Sequence, residues 1–70
     1  MTDTLAGTLE ALVDTHGLHA VVAELAGICG AKAEHVRSNW QDAVLAQVWE
    51  RYARALDRTA ARVRDIGPAY

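Results

Sequence analysis

The most distinctive side chains in this sequence are arginines that recur along its last third. Four of them are spaced by three and four residues, so that they share one face of a helix: Arg51, Arg54, Arg58 and Arg62. Guanidinium groups in such a row can bind carboxylates or phosphates through paired hydrogen bonds. Acidic residues lie close by. Glu50 has the four-residue spacing of an ion pair with Arg54, and we also expect a surface contact of Asp57 with Arg62 or of Arg58 with Asp65. Three interpretations of the row remain open. It is a solvated surface, a surface that binds a protein or, less readily, a surface that binds nucleic acid.

A second group of polar residues fits the DNA-reading helix of a helix-turn-helix motif. Residues 23–26, Gly30 and Val36 match a small residue in the first helix, a glycine in the turn and an apolar anchor in the second helix. The side chains that this motif would direct at the groove are Lys32, His35, Arg37, Ser38 and Asn39. Two observations oppose this interpretation: the apolar periodicity continues through the supposed turn, and a net charge of -2 disfavours phosphate binding.

The residues most able to ligate a metal are three histidines and a cysteine: His16, His19, Cys29 and His35. Structural zinc needs about four converging ligands in closely spaced pairs. Here His16 and His19 straddle a predicted turn, and Cys29 falls in an apolar stripe. No nucleophile–base pair and no glycine-rich phosphate loop has positional support either. We therefore expect no metal, no cofactor and no enzymatic activity.

Three helical segments must position these residues. Their apolar residues recur at helical spacing, which predicts helices over about 4–16, 18–37 and 40–65, with a frayed tail at 67–70. Thr2, Asp3 and Thr4 are candidate caps for the first helix, and Gly17 is its predicted stop.

The second segment contains two glycines, Gly27 and Gly30, that fall outside its apolar stripe. Because the period survives both of them, we predict one continuous helix, weakened by about 1 kcal/mol for each glycine relative to alanine. The alternative is a break at residues 28–31, which would divide the segment into two short helices.

The corner between the second and third helices is predicted at Trp40. Two overlapping pairs there have the spacing of a capping box: Ser38 with Gln41, and Asn39 with Asp42. Beyond the corner, eight residues fall within an arc of roughly 100° and are predicted to face the core: Leu45, Val48, Trp49, Tyr52, Leu56, Thr59, Val63 and Ile66.

Together these segments predict an all-α fold, a three-helix bundle built on an antiparallel hairpin of the last two helices with the first packed across it. A chain of 70 residues buries only about 60% of its unfolded surface, so that its isolated core is marginal. Residues 1–35 carry five acids and one lysine, whereas residues 36–70 carry six arginines and four acids. Halves of opposite charge can pair within one molecule, between two copies or with another protein, and charge alone does not choose among these. We expect a homodimer, because the pairing of two hairpins would cover apolar surface that one copy leaves exposed.

No charged-then-apolar leader and no apolar run of about 20 residues is recognisable, so that we expect neither secretion nor a membrane span. The single cysteine excludes a disulfide within the chain and is compatible with a reducing compartment. A cytoplasmic location is the expectation.

Several stretches resemble a group of short uncharacterised proteins of proteobacteria and their phages and mobile elements. They are His16-Gly17-Leu18, Ile28-Cys29-Gly30, residues 32–35 and residues 38–42, within a similarity that spans about residues 9–60. The resemblance implies that the corner at 39–42 recurs as a unit, and it implies no mechanism. Small acidic helical proteins from such sources are often inhibitors or adaptors, anti-CRISPR proteins among them.

We therefore predict a non-enzymatic protein-interaction module, an inhibitor or adaptor that binds a protein partner. Its expected contact surface combines the arginines with two tryptophans: Arg51, Arg54, Arg58, Arg62, Trp40 and Trp49. The alternative is a small helix-turn-helix transcriptional regulator that binds DNA through the second group of polar residues described above.

Overall fold

A computed structural model of the chain describes residues 4–39 and 41–68. These residues form three α-helices and no strand: α1 (Leu5–His16), α2 (Leu18–Asn39) and α3 (Ala43–Ile66). The predicted all-α fold is thereby confirmed. Thr2 and Asp3, the corner residue Trp40 and residues 69–70 of the predicted tail lie outside the described residues.

The ends of α1 and α3 follow from local sequence. The Thr4 hydroxyl accepts a hydrogen bond from the amide of Gly7 at 3.0 Å, which caps the first turn of α1. Gly17 and Gly67 end α1 and α3 with φ angles of 89° and 95°, a left-handed backbone that glycine adopts without steric cost. The predicted stop at Gly17 is confirmed, and α3 ends one residue beyond its predicted end.

Helix α2 runs without interruption through Gly27 and Gly30 and ends at Asn39, two residues beyond its predicted end. The predicted continuous helix is therefore confirmed, and the alternative break at residues 28–31 does not occur. A Cβ atom added at either glycine would meet no other atom within 4 Å. Neither glycine is thus needed for a close approach within this chain.

The start of α3 differs from the prediction. A carboxylate oxygen of Asp42 accepts a hydrogen bond from the amide of Leu45 at 2.9 Å, so that α3 begins at Ala43 and not at residue 40. The capping box predicted for Ser38 with Gln41 is wrong, because the first turn of α3 is capped by Asp42 and by neither of these two residues.

The second predicted capping pair, Asn39 with Asp42, is also wrong in its first member. Asn39 is the last residue of α2, and its side-chain amide donates to the carbonyl oxygen of His35 at 3.0 Å. The Asn39 side chain therefore bonds within the last turn of α2 and does not cap α3. Gln41 follows with a φ of 53°, an uncommon left-handed conformation that helps to reverse the chain.

Helices α2 and α3 fold back on each other and pack closely as the predicted hairpin. All buried residues among those described lie on these two helices, and four of the five are alanines: Ala26, Ala33, Val36, Ala46 and Ala60. The alanines recur in steps of seven residues, with the half-buried Ala53 between the last two, and so lie along one line of each helix. We call this line the alanine seam: Ala26, Ala33, Ala46, Ala53 and Ala60.

The apolar stripe of α3 that was predicted to face the core is largely exposed to solvent. Leu45, Tyr52 and Ile66 are 43%, 51% and 83% exposed, and Trp49 and Leu56 are half-buried. The prediction assigned the wrong side of α3 to the core. The centre of the stripe lies roughly 90° around the helix from the alanine seam, where α3 packs against α2. Small side chains allow two helices to approach closely, and the large ones are displaced to one side.

Helix α1 does not pack across the hairpin as predicted. It packs against α2, and only its C-terminal end approaches the end of α3, across a groove that both helices line. None of its residues is buried. Leu5, Leu9 and Leu12 are 76%, 38% and 41% exposed. The predicted three-helix bundle is therefore not closed within one chain.

The described helices form a flat molecule. Its principal dimensions are 43, 35 and 13 Å, so that it is one helix thick. Its radius of gyration is 14.4 Å, whereas a compact chain of this length has about 11 Å. Its accessible surface is 5560 Å², whereas a compact monomer of this mass has about 4300 Å². One chain thus leaves roughly 1300 Å² more surface in water than a compact fold would.

The alanine seam should not accept a larger side chain. Ala46 is 0% exposed, so that Ala46→Leu forces α2 and α3 apart, and we expect the free energy of unfolding to fall by about 1–3 kcal/mol. Urea unfolding followed by circular dichroism measures this change. The matched control is Ala55→Leu, because Ala55 is exposed on the same helix. Equal destabilisation by both variants would show that the helices do not meet along the seam.

Candidate interaction surfaces

The four arginines predicted as a contact surface lie exposed along α3: Arg51, Arg54, Arg58 and Arg62. We call them the arginine row. The predicted intrahelical ion pairs Glu50–Arg54 and Arg58–Asp65 do not form. Within residues 4–39 and 41–68, the ion pair that does form involves none of the four. Their guanidinium groups are therefore available to another molecule.

That ion pair joins the two helices of the hairpin. A guanidinium nitrogen of Arg37 on α2 lies 2.8 Å from a carboxylate oxygen of Glu50 on α3. The hydrogen bond from Arg37 lowers the pKa of Glu50, and the charge of Arg54 lowers it further. Glu50 is thus held as a carboxylate by a residue of the other helix, which explains why it does not pair with Arg54.

A second surface is formed by large apolar side chains on one side of the hairpin. Ile28 and Trp49 line a common cavity of about 320 Å³, which places the apolar rows of α2 and α3 on the same side. In each row the side chains fall within an arc of less than roughly 90°. We call this surface the apolar face and define it by its exposed and half-buried residues: Leu18, Leu25, Ile28, Leu45, Trp49, Tyr52 and Leu56.

Two aromatic rings lie at the centre of the α3 row. Trp49 and Tyr52 pack edge to face, with ring centroids 5.5 Å apart and an interplanar angle of 86°. The ammonium group of Lys32 lies 5.5 Å from the centroid of the Trp49 ring, within the range of a cation–π contact. Trp49 is thus held in place from both helices, and a fixed aromatic ring loses little entropy when a partner binds.

The contact surface predicted from the sequence is divided between two sides of the hairpin. By helical geometry, Trp49 lies roughly 140–180° around α3 from each arginine of the row. Trp49 therefore belongs to the apolar face, and Trp40 lies outside the described residues. The two surfaces can be occupied by different molecules at the same time.

The residues of the DNA-binding alternative do not have the geometry that a helix-turn-helix requires. Residues 27–31 are helical, so that no turn separates two helices at Gly30. Four of the five side chains also contact neighbours in their own chain: Lys32, His35, Arg37 and Asn39. Ser38 and His35 are exposed near the end of α2.

The potential metal ligands are not gathered into a site. In the part of the chain that the structure describes, no three His, Cys, Asp or Glu side chains come close enough to hold a metal ion. His16 and His19 instead line a groove of about 630 Å³ between the α1–α2 junction and the end of α3, where Val63 and Ile66 form its other wall. None of the three fully described helices is both long and apolar enough to cross a bilayer.

No protein-family model matches the chain, and no curated protein or solved structure matches it either. The resemblance to short proteins of proteobacteria and mobile elements therefore stays a prediction. The two surfaces have to be interpreted from their own chemistry, with no relative as a guide.

The α2 part of the apolar face was not among the predicted site residues. Leu18, Leu25 and Ile28 have a helical spacing that is equally typical of a buried core. The signal that distinguishes the two cases is the seven-residue spacing of alanines on both helices. Once the alanines close the hairpin, the larger apolar residues beside them must lie on its surface.

Substitution of Gly30 distinguishes a continuous α2 from a helix-turn-helix. Because Gly30 lies inside a helix and its Cβ would meet no atom, Gly30→Ala should raise the free energy of unfolding by about 1 kcal/mol. Gly17→Ala is the control and should lower it, because a φ of 89° strains any residue with a Cβ. Urea unfolding measures both changes. A destabilising Gly30→Ala would contradict the continuous helix.

Proposed function

We propose that this chain is a non-enzymatic protein-interaction module that acts as a homodimer. The observation that carries the proposal is the apolar face, which spans both helices of the hairpin and is left in water by its own chain. Contiguous apolar patches with an aromatic centre are typical of protein-binding sites.

The surface area favours a second copy of the chain as the occupant of the apolar face. A stable interface of standard size removes about 800 Å² from each partner. One chain exposes roughly 1300 Å² more than a compact monomer, which is enough for such an interface. A twofold dimer brings the same face of each copy together, so that two hairpins of single-helix thickness form a two-layer, four-helix core.

The energetics of burial favour the same conclusion. Each buried alanine methyl group contributes only about 0.8 kcal/mol, and the buried residues described are nearly all alanines. Full burial of a leucine or isoleucine contributes about 1.5–3 kcal/mol, and such residues lie on the apolar face. Most of the hydrophobic stabilisation that this sequence offers is therefore gained when the face is covered.

We assign the contact with another protein to the arginine row. It lies on roughly the opposite side of α3 from the apolar face, so that it stays accessible in the dimer. Its guanidinium groups suit carboxylates on an acidic protein surface. The chain carries a net charge of -2, which repels a nucleic acid over longer distances. An inhibitor or adaptor in the cytoplasm fits these properties.

A charge in the middle of the apolar face should prevent dimerisation. Ile28→Glu places an unpaired carboxylate in the interface, and we expect the dissociation constant of the dimer to rise at least about 100-fold. Size-exclusion chromatography with light scattering measures the mass of both proteins. A wild-type chain that is monomeric at about 100 µM would contradict the proposal.

The double variant Arg54→Glu with Arg58→Glu is the matched control. It introduces charge on the other side of α3, so that the dimer mass should stay unchanged while a protein partner recovered by the wild type in a pull-down is released. Duplex DNA bound with a steep salt dependence, and lost on Arg37→Ala, would instead favour the transcriptional regulator.

A further inference from the structure

We infer that the groove between the α1–α2 junction and the end of α3 binds a single-chain amphiphile with a carboxylate head group, of the class of the long-chain fatty acids. This ligand site adds to the proposed function and needs no second copy, because residues of one chain form the whole groove.

Each of the three helices contributes one basic side chain to the groove. His16 is the last residue of α1, His19 lies in the first turn of α2, and Arg64 lies in the last turn of α3. A guanidinium group and imidazole rings can all donate hydrogen bonds to a carboxylate. Side chains from distant parts of the sequence thus converge with one kind of chemistry, which favours an anionic head group.

The acids nearest in sequence do not neutralise these groups inside the groove. By helical geometry, Asp14 lies roughly 160° around α1 from His16, and Asp65 lies roughly 100° around α3 from Arg64. None of the described residues that line the groove is acidic. The ion pair between Arg37 and Glu50, which is the one formed within residues 4–39 and 41–68, does not involve Arg64. The groove is therefore complementary in charge to an anion.

Two helices end at the groove, and free carbonyl groups at a helix end disfavour an anion. The glycines that end these helices offset this effect. The Gly17 amide donates to the carbonyl oxygen of Val13. The Gly67 amide donates to the carbonyl oxygens of Val63 and Arg64. Fewer carbonyl oxygens are therefore left to repel a carboxylate.

The rest of the groove suits an alkyl chain. Apart from the three basic residues and the two glycines, its lining is apolar: Val13, Leu18, Ala20, Val63, Ile66 and Pro68. Its volume of about 630 Å³ falls within the range of small-molecule sites, about 300–1,000 Å³. Each methylene group that becomes buried raises affinity about fourfold. A small inorganic anion would leave these walls in water, whereas a long-chain carboxylate covers them.

The groove lies at the end of the hairpin away from the α2–α3 corner and shares Leu18 with the apolar face. The seven residues that define the apolar face include no acid. The apolar face of a second copy therefore offers no carboxylate to the three basic groups and does not complete this groove.

Isothermal titration calorimetry of the full chain with dodecanoate, below its micelle concentration, tests the ligand class. We expect saturable binding of one dodecanoate per chain. Octanoate is four methylene groups shorter and should bind at least about tenfold more weakly. Dodecyltrimethylammonium should also bind at least about tenfold more weakly, although the net charge of -2 attracts it. Equal binding of the two head groups, or no saturation at about 1 mM dodecanoate, would overturn the inference.

Two arginine variants test the head-group contact. Arg64→Gln removes charge-assisted hydrogen bonds and should raise the dissociation constant of dodecanoate at least about tenfold. The matched control is Arg62→Gln, which changes the net charge equally but removes an arginine outside the groove. It should change that constant less than about twofold. Equal effects would show general attraction by charge and would overturn the assigned site.

Amide chemical shifts of the ¹⁵N-labelled chain locate the ligand independently. Dodecanoate should shift residues 13–20 and 63–68 most strongly. If the largest shifts instead surround Ile28 and Trp49, the alkyl chain binds the apolar face without need of the basic groups, and the inference is wrong.

Discussion

The close contact of α2 and α3 along the alanine seam is the constraint on which the rest of the structure depends. Alanine at steps of seven residues allows the two helices to pack through their smallest side chains. The large apolar residues on both helices are then excluded from the contact and lie beside it. A hairpin closed in this way is well defined in geometry but buries little apolar area, and its large apolar side chains stay on the surface. We propose that its folding depends on what covers the apolar face.

The hairpin also separates two kinds of chemistry. Its apolar face carries leucines, Ile28 and the two aromatic rings, whereas the arginine row follows another side of α3. The ion pair between Arg37 and Glu50 contributes to both features, because it links the helices and engages an acid that lies one turn before Arg54. The association that we propose through the apolar face leaves the charged face free, which is the property expected of a module that pairs with itself and also binds another protein.

Much of the fold could be predicted from local signals, whereas the packing between helices could not. Gly17 and Gly67 mark helix ends through their own backbone preferences, and α2 tolerates its glycines because nothing breaks its period. The side of α3 that packs against α2 was predicted wrongly, because the pattern of large apolar residues gives no weight to alanine as a packing residue. The prediction of the ion pairs was wrong, because pairs within one helix and pairs between helices differ in free energy by only a few tenths of a kcal/mol.

The central claim is that one chain cannot bury enough apolar surface and folds stably only with a second copy. Thermal unfolding at protein concentrations that span a 100-fold range tests it most directly. If folding and association are coupled, the midpoint temperature should rise by about 9 °C across that range. A midpoint that does not change with concentration, in a chain that unfolds cooperatively from a helical state, would contradict the account.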